Sequence, residues 1–474
     1  MSQDNQQNHF ATNPKLFKEY IKVETDNLLE MESQSLFCED PQWQVGLELE
    51  GWFLDKDLQP QAIAPKMLTE LQCSELSEEV SKEIFEINLK HLPVKTNFLE
   101  LFDKNLTDLF CKCNDWAIQN NTKIITIGMM PHMDPRHFNR ELFVNGPRYH
   151  LLNDSLMQLR KNQPWTIKIK GDEAVDFIAQ DICLEALTTS TQFHLKVPHS
   201  QLVKTYNRAQ ILAAPMVAIA ANARYFNSKS LWHETRVPLF QQTVSQQLPP
   251  LSHTNMEDRV FFGEDFIQKS IMEIFSDNLR FSPLLPLIEP EKHHDFHHLK
   301  LHNGTIWRWN RPVIGKTDSS NYHIRLEHRV QSAGTSPADI AAQLGFYVGI
   351  LSYWERHGCE LENLSFLTIR NNFYHAAKLG LQSSVVWTNN KMVEMQSLIL
   401  NELIPIAKLG LSYFGLSQEE IHYYLDEILG ERIKRGLSGA VWQRNKAVEL
   451  NSVIHMLESY HEQQQSLKPL WKWD

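Results

Sequence analysis

The sequence predicts an α+β protein in which a region of antiparallel strands with flanking helices is followed by a helical region. Between residues 41 and 335, several segments alternate apolar and polar residues with a period of two, which is typical of half-buried strands. From about residue 336 the apolar spacing is almost wholly helical, and Ser336-Pro337 has the form of an N-cap followed by proline. We therefore predict three parts: a polar arm with a first helix over 1–40, a sheet region over 41–335, and helices over 336–474 packed on the sheet.

Seven segments carry the strand pattern, and helical patterns over 200–226 and 257–277 lie between them. In chain order the predicted strands are 43–54, 84–90, 123–130, 164–171, 188–198, 305–312 and 322–331. In the C-terminal region the predicted helices are at about 336–356, 363–379, 391–413, 418–433 and 441–463.

Composition and charge narrow the class of protein. The chain has 46 basic and 57 acidic residues and a net charge of −11, whereas a nucleic-acid surface calls for a clustered basic excess. The polar N-terminal stretch lacks an apolar segment, and the longest apolar run, 211–221, is too short to span a bilayer. Six cysteines are too few for a disulfide scaffold in so long a chain. We expect a cytoplasmic protein with reduced thiols and with neither nucleic-acid nor membrane partners; a homodimer is left open.

Four of the predicted strands have a concentrated polar face. In "VGLELEG", Glu48 and Glu50 share one face, and Val45, Leu47 and Leu49 form the other, so the two carboxylates lie about 7 Å apart. The other polar faces are formed by Glu86 and Asn88, by Gln192, His194 and Lys196, and by Arg325, Glu327 and Arg329.

A solvated strand face would explain any one of these segments. It explains the set less well, because paired carboxylates repel each other unless a cation lies between them, and glutamate is a poor strand former. Carboxylates with one histidine and no thiolate suit Mg²⁺ or Mn²⁺. Arginines on the same sheet suit phosphate or carboxylate. Together, these side chains suggest the ATP-dependent activation of a carboxylic acid.

Longer motifs carry a resemblance to a known family. They include "GLELEGWFL", "PRYHLLN", "TSTQFHLKV", "LWHETRVPLFQQ", "LHNGTIWRWNRP", "HIRLEHRV" and "GAVWQRN", and they run in order from about residue 43 to 450. In these motifs the chain resembles the glutamate–cysteine ligase family of the bacterial and plant type, in its carboxylate–amine ligase branch. The resemblance implies a catalytic fold similar to that of glutamine synthetase, with a curved antiparallel sheet whose concave face holds ATP, divalent metals and an amino acid.

The resemblance also implies metal ligands. In that fold an E-x-E strand, a histidine-bearing strand and an E-x-R strand hold Mg²⁺ or Mn²⁺. The corresponding positions are Glu48 and Glu50, His194, and Glu327 followed by Arg329. Glu86 resembles a further carboxylate ligand.

The implied reaction begins when a substrate carboxylate attacks the γ-phosphate of ATP, and an amine then attacks the acyl phosphate to form an amide. We assign catalytic roles to Glu327, Arg329 and Arg236, and substrate or ATP contacts to Arg325 and Arg311. Further candidate contacts are Gln192, Asn88, Arg148 and Tyr149. Gln192 could instead be an exposed strand residue. Arg148 and Tyr149 could instead serve to cap the following helix without contacting substrate.

The substrates are less well defined than the chemistry. Glutamate plus cysteine, as in glutathione biosynthesis, is the default pair, but no residue specifies a thiol. A phosphagen-type kinase on the same sheet and a non-catalytic nucleotide or amino-acid sensor remain alternatives. Two segments are ambiguous: the loop over 129–149 could be a lid or an ordinary surface loop, and the histidines within 293–302 could bind a metal or form part of a connection.

Overall fold

The computed structural model describes residues 12–134, 137, 140–246, 258–317 and 321–474. Most of the predicted polar arm, and positions 135, 136, 138 and 139 of the predicted lid, lie outside the described residues. The predicted α+β fold built on an antiparallel sheet is confirmed. The three-part division of the chain stays a prediction.

The strands fall close to the alternating segments of the sequence. In chain order they are β1 (Gln44–Leu54), β2 (Leu76–Glu78), β3 (Ile84–Pro93), β4 (Lys123–Ile125), β5 (Trp165–Lys170), β6 (Ala174–Ala179), β7 (Ser190–Lys196), β8 (Tyr225–Phe226), β9 (Lys229–Ser230), β10 (Val260–Phe261), β11 (Trp307–Arg308), β12 (Asn310–Lys316), β13 (Tyr322–Ser332), β14 (Ser384–Val386) and β15 (Met392–Glu394).

The helices fill the connections and the C-terminal region. They are α1 (Pro14–Ser33), α2 (Ala64–Leu71), α3 (Phe98–Gln119), α4 (Pro147–Leu159), α5 (Leu202–Ala220), α6 (Arg236–Thr243), α7 (Met272–Asn278), α8 (His297–Asn303), α9 (Pro337–His357), α10 (Phe366–Leu379), α11 (Met395–Leu398), α12 (Ile404–Ser412), α13 (Gln418–Ile421), α14 (Glu431–Lys434), α15 (Gly439–Glu449) and α16 (Val453–Gln465). Single π-helical segments, Ile399–Leu403 and His422–Gly430, join α11 to α12 and α13 to α14.

Within the described residues, seven strands form the central antiparallel sheet, in the order β12-β13-β7-β1-β3-β2, with β4 paired to the end of β1. The apolar face of the sheet is buried; Leu47, Leu49 and Phe193 are at most 2% exposed. Helices α3 and α5 pack against the sheet and α9 packs on both of them, which leaves the opposite, polar face for the site.

Helix α9 begins where the sequence predicts. The side chain of Ser336 accepts a hydrogen bond from the Asp339 amide at 3.1 Å, and Pro337 occupies the first turn. The helix is almost wholly buried, in agreement with its small and apolar composition. None of the helices that the structure describes has the length and apolar character needed to cross a bilayer.

Several predicted elements are wrong in part. In the described part of the predicted helix 257–277, β10 comes first and the chain becomes helical only in α7, because Gly263 has a positive φ of +126° that a helix does not accommodate. The predicted strand 123–130 ends at Ile125. Beyond it, the Thr126 amide donates to the Gln464 side chain at 2.8 Å, and that side chain donates back to the Thr126 carbonyl at 2.9 Å.

The predicted helix over 441–463 is two helices. Asn451 has a positive φ of +48° between α15 and α16, and the Ser452 side chain then caps α16 by accepting from the His455 amide. The predicted strand 305–312 is likewise divided, between β11 and β12.

Two histidines of the segment 293–302 form buried hydrogen bonds that connect elements of the fold. His298 and His302 both lie buried in α8. The Nδ1 atom of His298 lies 2.7 Å from a Glu24 oxygen, and Nε2 of His302 donates to the Asn278 carbonyl at 2.8 Å. Each therefore has its own protein partner on a different element.

Replacing His302 with glutamine should change how stability depends on pH. Burial lowers the pKa of His302 to about 4. Near pH 6.5 the unfolded chain therefore binds a proton at this residue, whereas the folded protein does not. As pH falls from 7 to 4, the wild type should lose about 3 kcal/mol of unfolding free energy relative to His302→Gln, which has no such proton to bind. Urea unfolding at a series of pH values measures this difference, and a difference independent of pH would contradict it.

Candidate active site

The four predicted polar faces meet on adjacent strands of the sheet. Because β13, β7, β1 and β3 are neighbours, side chains far apart in the sequence face one another across the strands. The directly opposed pairs are Glu48 with Asn88, Glu48 with Gln192, Glu50 with Glu86, His194 with Glu327, and Arg311 with Glu327.

Three carboxylates form a cluster at the β2 side of the sheet. Glu50, Glu79 and Glu86 each offer an oxygen within 4.8 Å of the others, a spacing that allows them to hold one cation. Glu86 accepts hydrogen bonds from Ser77 at 2.7 Å and from Asn88 at 2.6 Å. The cluster is therefore held in place from outside, with its oxygens turned towards each other.

The proximity of these carboxylates makes it unfavourable to ionise all three at once. Burial, and then the nearby Glu86, raise the pKa of Glu50 to about 8, although Arg329 and Ser190 oppose the shift. Burial, and then the charges of Glu86 and Glu50, raise the pKa of Glu79 well above its ordinary value. Burial, and then the charge of Glu48, raise the pKa of Glu86. Bringing three buried carboxylates together therefore favours protonation or a bound cation.

A second group lies two residues away along β1, at Glu48, and includes side chains of β7 and β13. Nε2 of His194 is 2.8 Å from a Glu48 oxygen, and the Nε of Arg325 donates to Nδ1 of His194 at 3.0 Å. Because an arginine nitrogen can only donate, Nδ1 is the acceptor, and the ring proton lies on Nε2, facing Glu48. Burial raises the pKa of Glu48, but the interaction with His194 and the positive charge of Arg329 outweigh it, so the pKa is lowered. A cation here would compete with the Nε2 proton.

Glu327 completes this second group and is held by two arginines. Arg311 contacts it with Nε at 2.7 Å and Nη2 at 3.0 Å, a bidentate pair, and Arg329 donates to the same carboxylate. Burial opposes ionisation, but these guanidinium groups and His194 hold the pKa of Glu327 well below its usual range. Arg329 also donates to the side-chain oxygen of Gln192, which ties β13 to β7.

Two cavities open on this face and share Glu48. The larger has a volume of about 720 Å³ and the smaller about 150 Å³. Cationic and histidine side chains line the larger cavity: Lys90, His91, His194, Lys196, Lys316, His323 and Arg325. Carboxylates and arginines line the smaller one: Glu50, Glu79, Glu185, Arg148, Arg236, Arg311 and Arg329.

The other predicted residues that line the smaller cavity differ in burial and in their hydrogen bonds. Gln192 is buried and donates to Glu50 at 2.9 Å, so it is not an exposed strand residue. Arg236 is 2% exposed; its Nε donates to Glu234 at 3.0 Å and its Nη2 to the Arg329 carbonyl at 3.1 Å. Arg148 and Tyr149 lie in the first turn of α4, and both reach the cavity. The catalytic and binding roles of these residues stay predictions.

Sequence reasoning missed two carboxylates of the site. Glu79 follows β2 and continues the face of Ser77, which opposes Glu86, so the period-two pattern in "LSEEV" was an available signal. Glu185 lies in the 3-10 turn Ile182–Leu187, where no periodicity marks it. Burial raises the pKa of Glu185 to about 7, although Arg329 opposes the shift, which suits a group that accepts a proton near neutral pH.

Three comparisons with known proteins bear on the family. The model of glutamate-cysteine ligase family 2 (GCS2) matches residues 44–466. No curated protein matches the chain. Among solved structures, a glutamate–cysteine ligase from Francisella tularensis in complex with AMP aligns over 92% of this chain and 92% of its own, at 11% identity and a TM-score of 0.48.

Two further structures align over most of the chain. A bifunctional glutathione synthetase from Pasteurella multocida aligns over 96% of this chain and 54% of its own, at 12% identity and a TM-score of 0.49. The complex of the prokaryotic ubiquitin-like protein Pup with its ligase PafA aligns over 90% of this chain and 69% of that chain, at 11% identity and a TM-score of 0.39. The resemblance drawn from the motifs is confirmed by the family model. Because that model spans residues 44–466, the chain belongs to glutamate-cysteine ligase family 2.

Proposed function

We propose that this enzyme is an ATP-dependent carboxylate–amine ligase that activates the side-chain carboxylate of glutamate as an acyl phosphate and joins it to an amine. The observation that carries the proposal is the meeting of two chemically different cavities at Glu48. A ligase of this type needs a nucleotide and an acid on opposite sides of one phosphoryl group. The sheet face offers that arrangement.

The larger cavity suits ATP. Its volume of about 720 Å³ lies in the range of small-molecule and cofactor sites. Positively charged side chains line it, among them Lys90, Lys316 and Arg325. A cavity of this size with several cations around it matches a nucleotide and its phosphates.

The smaller cavity suits the acid substrate. Arg148, Arg236 and Arg329 line it and can bind carboxylate oxygens bidentately. Of these, only Arg148 is exposed, so we assign it the outer carboxylate of the amino acid. Arg329 lies beside Glu327 and Gln192 and is assigned to the transferred phosphoryl group.

Both groups of ligands fit hard divalent cations, because they consist of carboxylate oxygens with one imidazole and no thiolate. Glu50, Glu79 and Glu86 would hold one Mg²⁺ or Mn²⁺. We propose Glu48, His194 and Glu327 as ligands of another, which would have to displace the Nε2 proton of His194 and an arginine contact of Glu327. When bound, such cations neutralise the charge that develops on the phosphates during transfer. The raised pKa values in the carboxylate cluster support the first assignment, since a cation relieves that repulsion.

The proposed ligase reaction has two steps. The glutamate carboxylate forms an O–P bond with the γ-phosphorus while the bond to ADP breaks. The amine next attacks the acyl carbon, phosphate leaves, and the amine loses a proton. Glu185 lines the smaller cavity, and its pKa of about 7 suits it to accept that proton. Cysteine is the default amine, which would place the product in glutathione biosynthesis. The six free cysteines are consistent with a cytoplasmic location.

Product analysis tests the proposal. The purified protein is incubated with ATP, Mg²⁺ and glutamate, with and without a panel of amines that includes cysteine, and ADP, phosphate and the ligated product are measured. We expect free phosphate and an amide product only when acid and amine are both present. ADP without free phosphate would indicate a kinase, and the absence of both products would indicate a sensor. Mass spectrometry of the amide identifies the acceptor.

A further inference from the structure

A third cavity lies outside the ligase site. It has a volume of about 570 Å³ and shares no lining residue with the two cavities on the sheet face. Its walls come from the β5–β6 turn, from the residues on either side of the β8–β9 hairpin, from the end of α10 and the turn after it, from α11, from the turn after α14, and from α15. The charged and titratable side chains that line it are Asp172, Arg224, His233, Lys378, Arg435 and Arg444.

The charge of this cavity is unbalanced. Asp172 and Arg224 form an ion pair, so their charges cancel. In the part of the chain that the structure describes, Lys378 and Arg435 form no ion pair, and Arg444 has only a 3.9 Å contact with the already paired Asp172. About three positive charges therefore line the same space without a matching carboxylate among the lining residues, and the acidic neighbour of Arg435, Glu431, does not line the cavity. Such a concentration of like charge favours an anion.

His233 makes the cavity a built site rather than a surface depression. The residue is 5% exposed, and within the described chain its buried Nδ1 has no hydrogen-bond partner. The ring packs closely on Gly380, where an added Cβ would lie 2.5 Å from Nδ1. A buried ring nitrogen without a partner costs free energy, and a ligand that hydrogen-bonds to it in the cavity would recover that cost.

Two of the cationic side chains form cation–π contacts with aromatic rings. The guanidinium of Arg435 lies 5.0 Å from the centre of the Trp471 ring, and the ammonium of Lys378 lies 5.9 Å from that of Trp232. The buried Arg224 also donates to the Ser230 hydroxyl at 3.0 Å. Side chains restrained in this way lose less conformational entropy when they bind a ligand.

We propose that this cavity binds a small polyanion, a molecule that carries a phosphate group or several carboxylates. Arginine binds both kinds of group through paired N–H donors, and lysine adds a point charge. The volume is sufficient for a ligand larger than a single phosphate. The site is separate from the nucleotide and acid cavities, so it does not depend on the proposed ligase reaction.

Calorimetric titration of the intact protein tests this site, with pyrophosphate and citrate as separate probes and with neither ATP nor divalent metal present. The test variant is Arg435→Ala combined with Arg444→Ala, both at exposed positions. The matched control is Arg356→Ala, which removes an exposed arginine stacked 4.1 Å from the Tyr413 ring, far along the chain from this cavity. Anion binding at the ligase site contributes equally to all three proteins.

We expect the wild type and Arg356→Ala to bind alike and the double variant to bind at least tenfold more weakly. A loss confined to pyrophosphate would assign a phosphate ligand, and a loss confined to citrate would assign a polycarboxylate. Equal affinities in all three proteins, or no binding to the wild type, would overturn the proposal. The melting temperature of the double variant in buffer shows whether it is folded, and Lys378→Glu provides an independent variant for which the same weakening is expected.

Discussion

Replacing Glu327 with glutamine should reduce turnover by about a thousandfold or more while the protein stays folded. The substitution keeps the size of the side chain but removes the charge between Arg311 and Arg329 and one ligand of the Glu48 group. Without that charge, the two arginines repel each other and no longer hold the geometry needed for phosphoryl transfer. Steady-state release of phosphate measures the loss.

The control for this variant is Glu355→Gln. Glu355 also pairs with a buried arginine, Arg208, at 2.7 Å, but it lies on α9 and lines neither cavity of the site. Both variants should lower the melting temperature, because each removes a negative charge that pairs with a largely buried guanidinium, although Arg208 keeps its second partner Glu362 at 2.8 Å. Only Glu327→Gln should lose activity. Unchanged turnover in Glu327→Gln, or an equal loss in the control, would remove Glu327 from the catalytic site.

Replacing Glu79 with glutamine should stabilise the metal-free protein and at the same time abolish most of its response to Mg²⁺. The raised pKa of Glu79 means that its ionisation in the folded state is unfavourable. A carboxyl with a raised folded-state pKa costs more stability as pH rises above its unfolded value, so the gain from removing it should be larger at pH 8 than at pH 5. We expect the melting temperature at pH 8 to rise by about 2 °C or more.

Glu78→Gln is the matched control, since Glu78 is the neighbouring residue of the same type and is exposed. In the wild type and in this control, Mg²⁺ should raise the melting temperature, because an ion that binds only the folded state stabilises it. In Glu79→Gln this rise should fall by at least half and turnover should decrease. A full Mg²⁺ response in Glu79→Gln would show that the carboxylate cluster does not hold the ion.

The face of the sheet that carries the site could be predicted because its strands alternate strictly. The period of two places Glu48 and Glu50 opposite Leu47 and Leu49, and a strand with one buried face has only one register that keeps its leucines inside. Which strands are neighbours does not follow from alternation alone. The family resemblance implied that β1, β7 and β13 share one face, and the structure gives their order in the sheet.

The errors have a common physical origin in contacts that are distant in sequence or in local backbone geometry. The strand predicted to Met130 is rich in apolar residues, but just beyond Ile125 the backbone of Thr126 bonds to a side chain 338 residues away. Glu185 lies in a turn, and its altered acidity arises only from burial. Neither fact has a local signature, so a sequence window of any usual length does not contain it.

The contact between Thr126 and Gln464 also has a consequence for synthesis. Tyr460 reinforces it by donating to the Thr126 carbonyl at 3.0 Å, so α16 covers the end of a strand made hundreds of residues earlier. The chain emerges from the ribosome with its N-terminus first. This strand end therefore stays uncovered until translation has passed residue 464. A nascent chain that stops before α16 would expose unpaired backbone next to an apolar sheet, which makes it a substrate for chaperones and degradation.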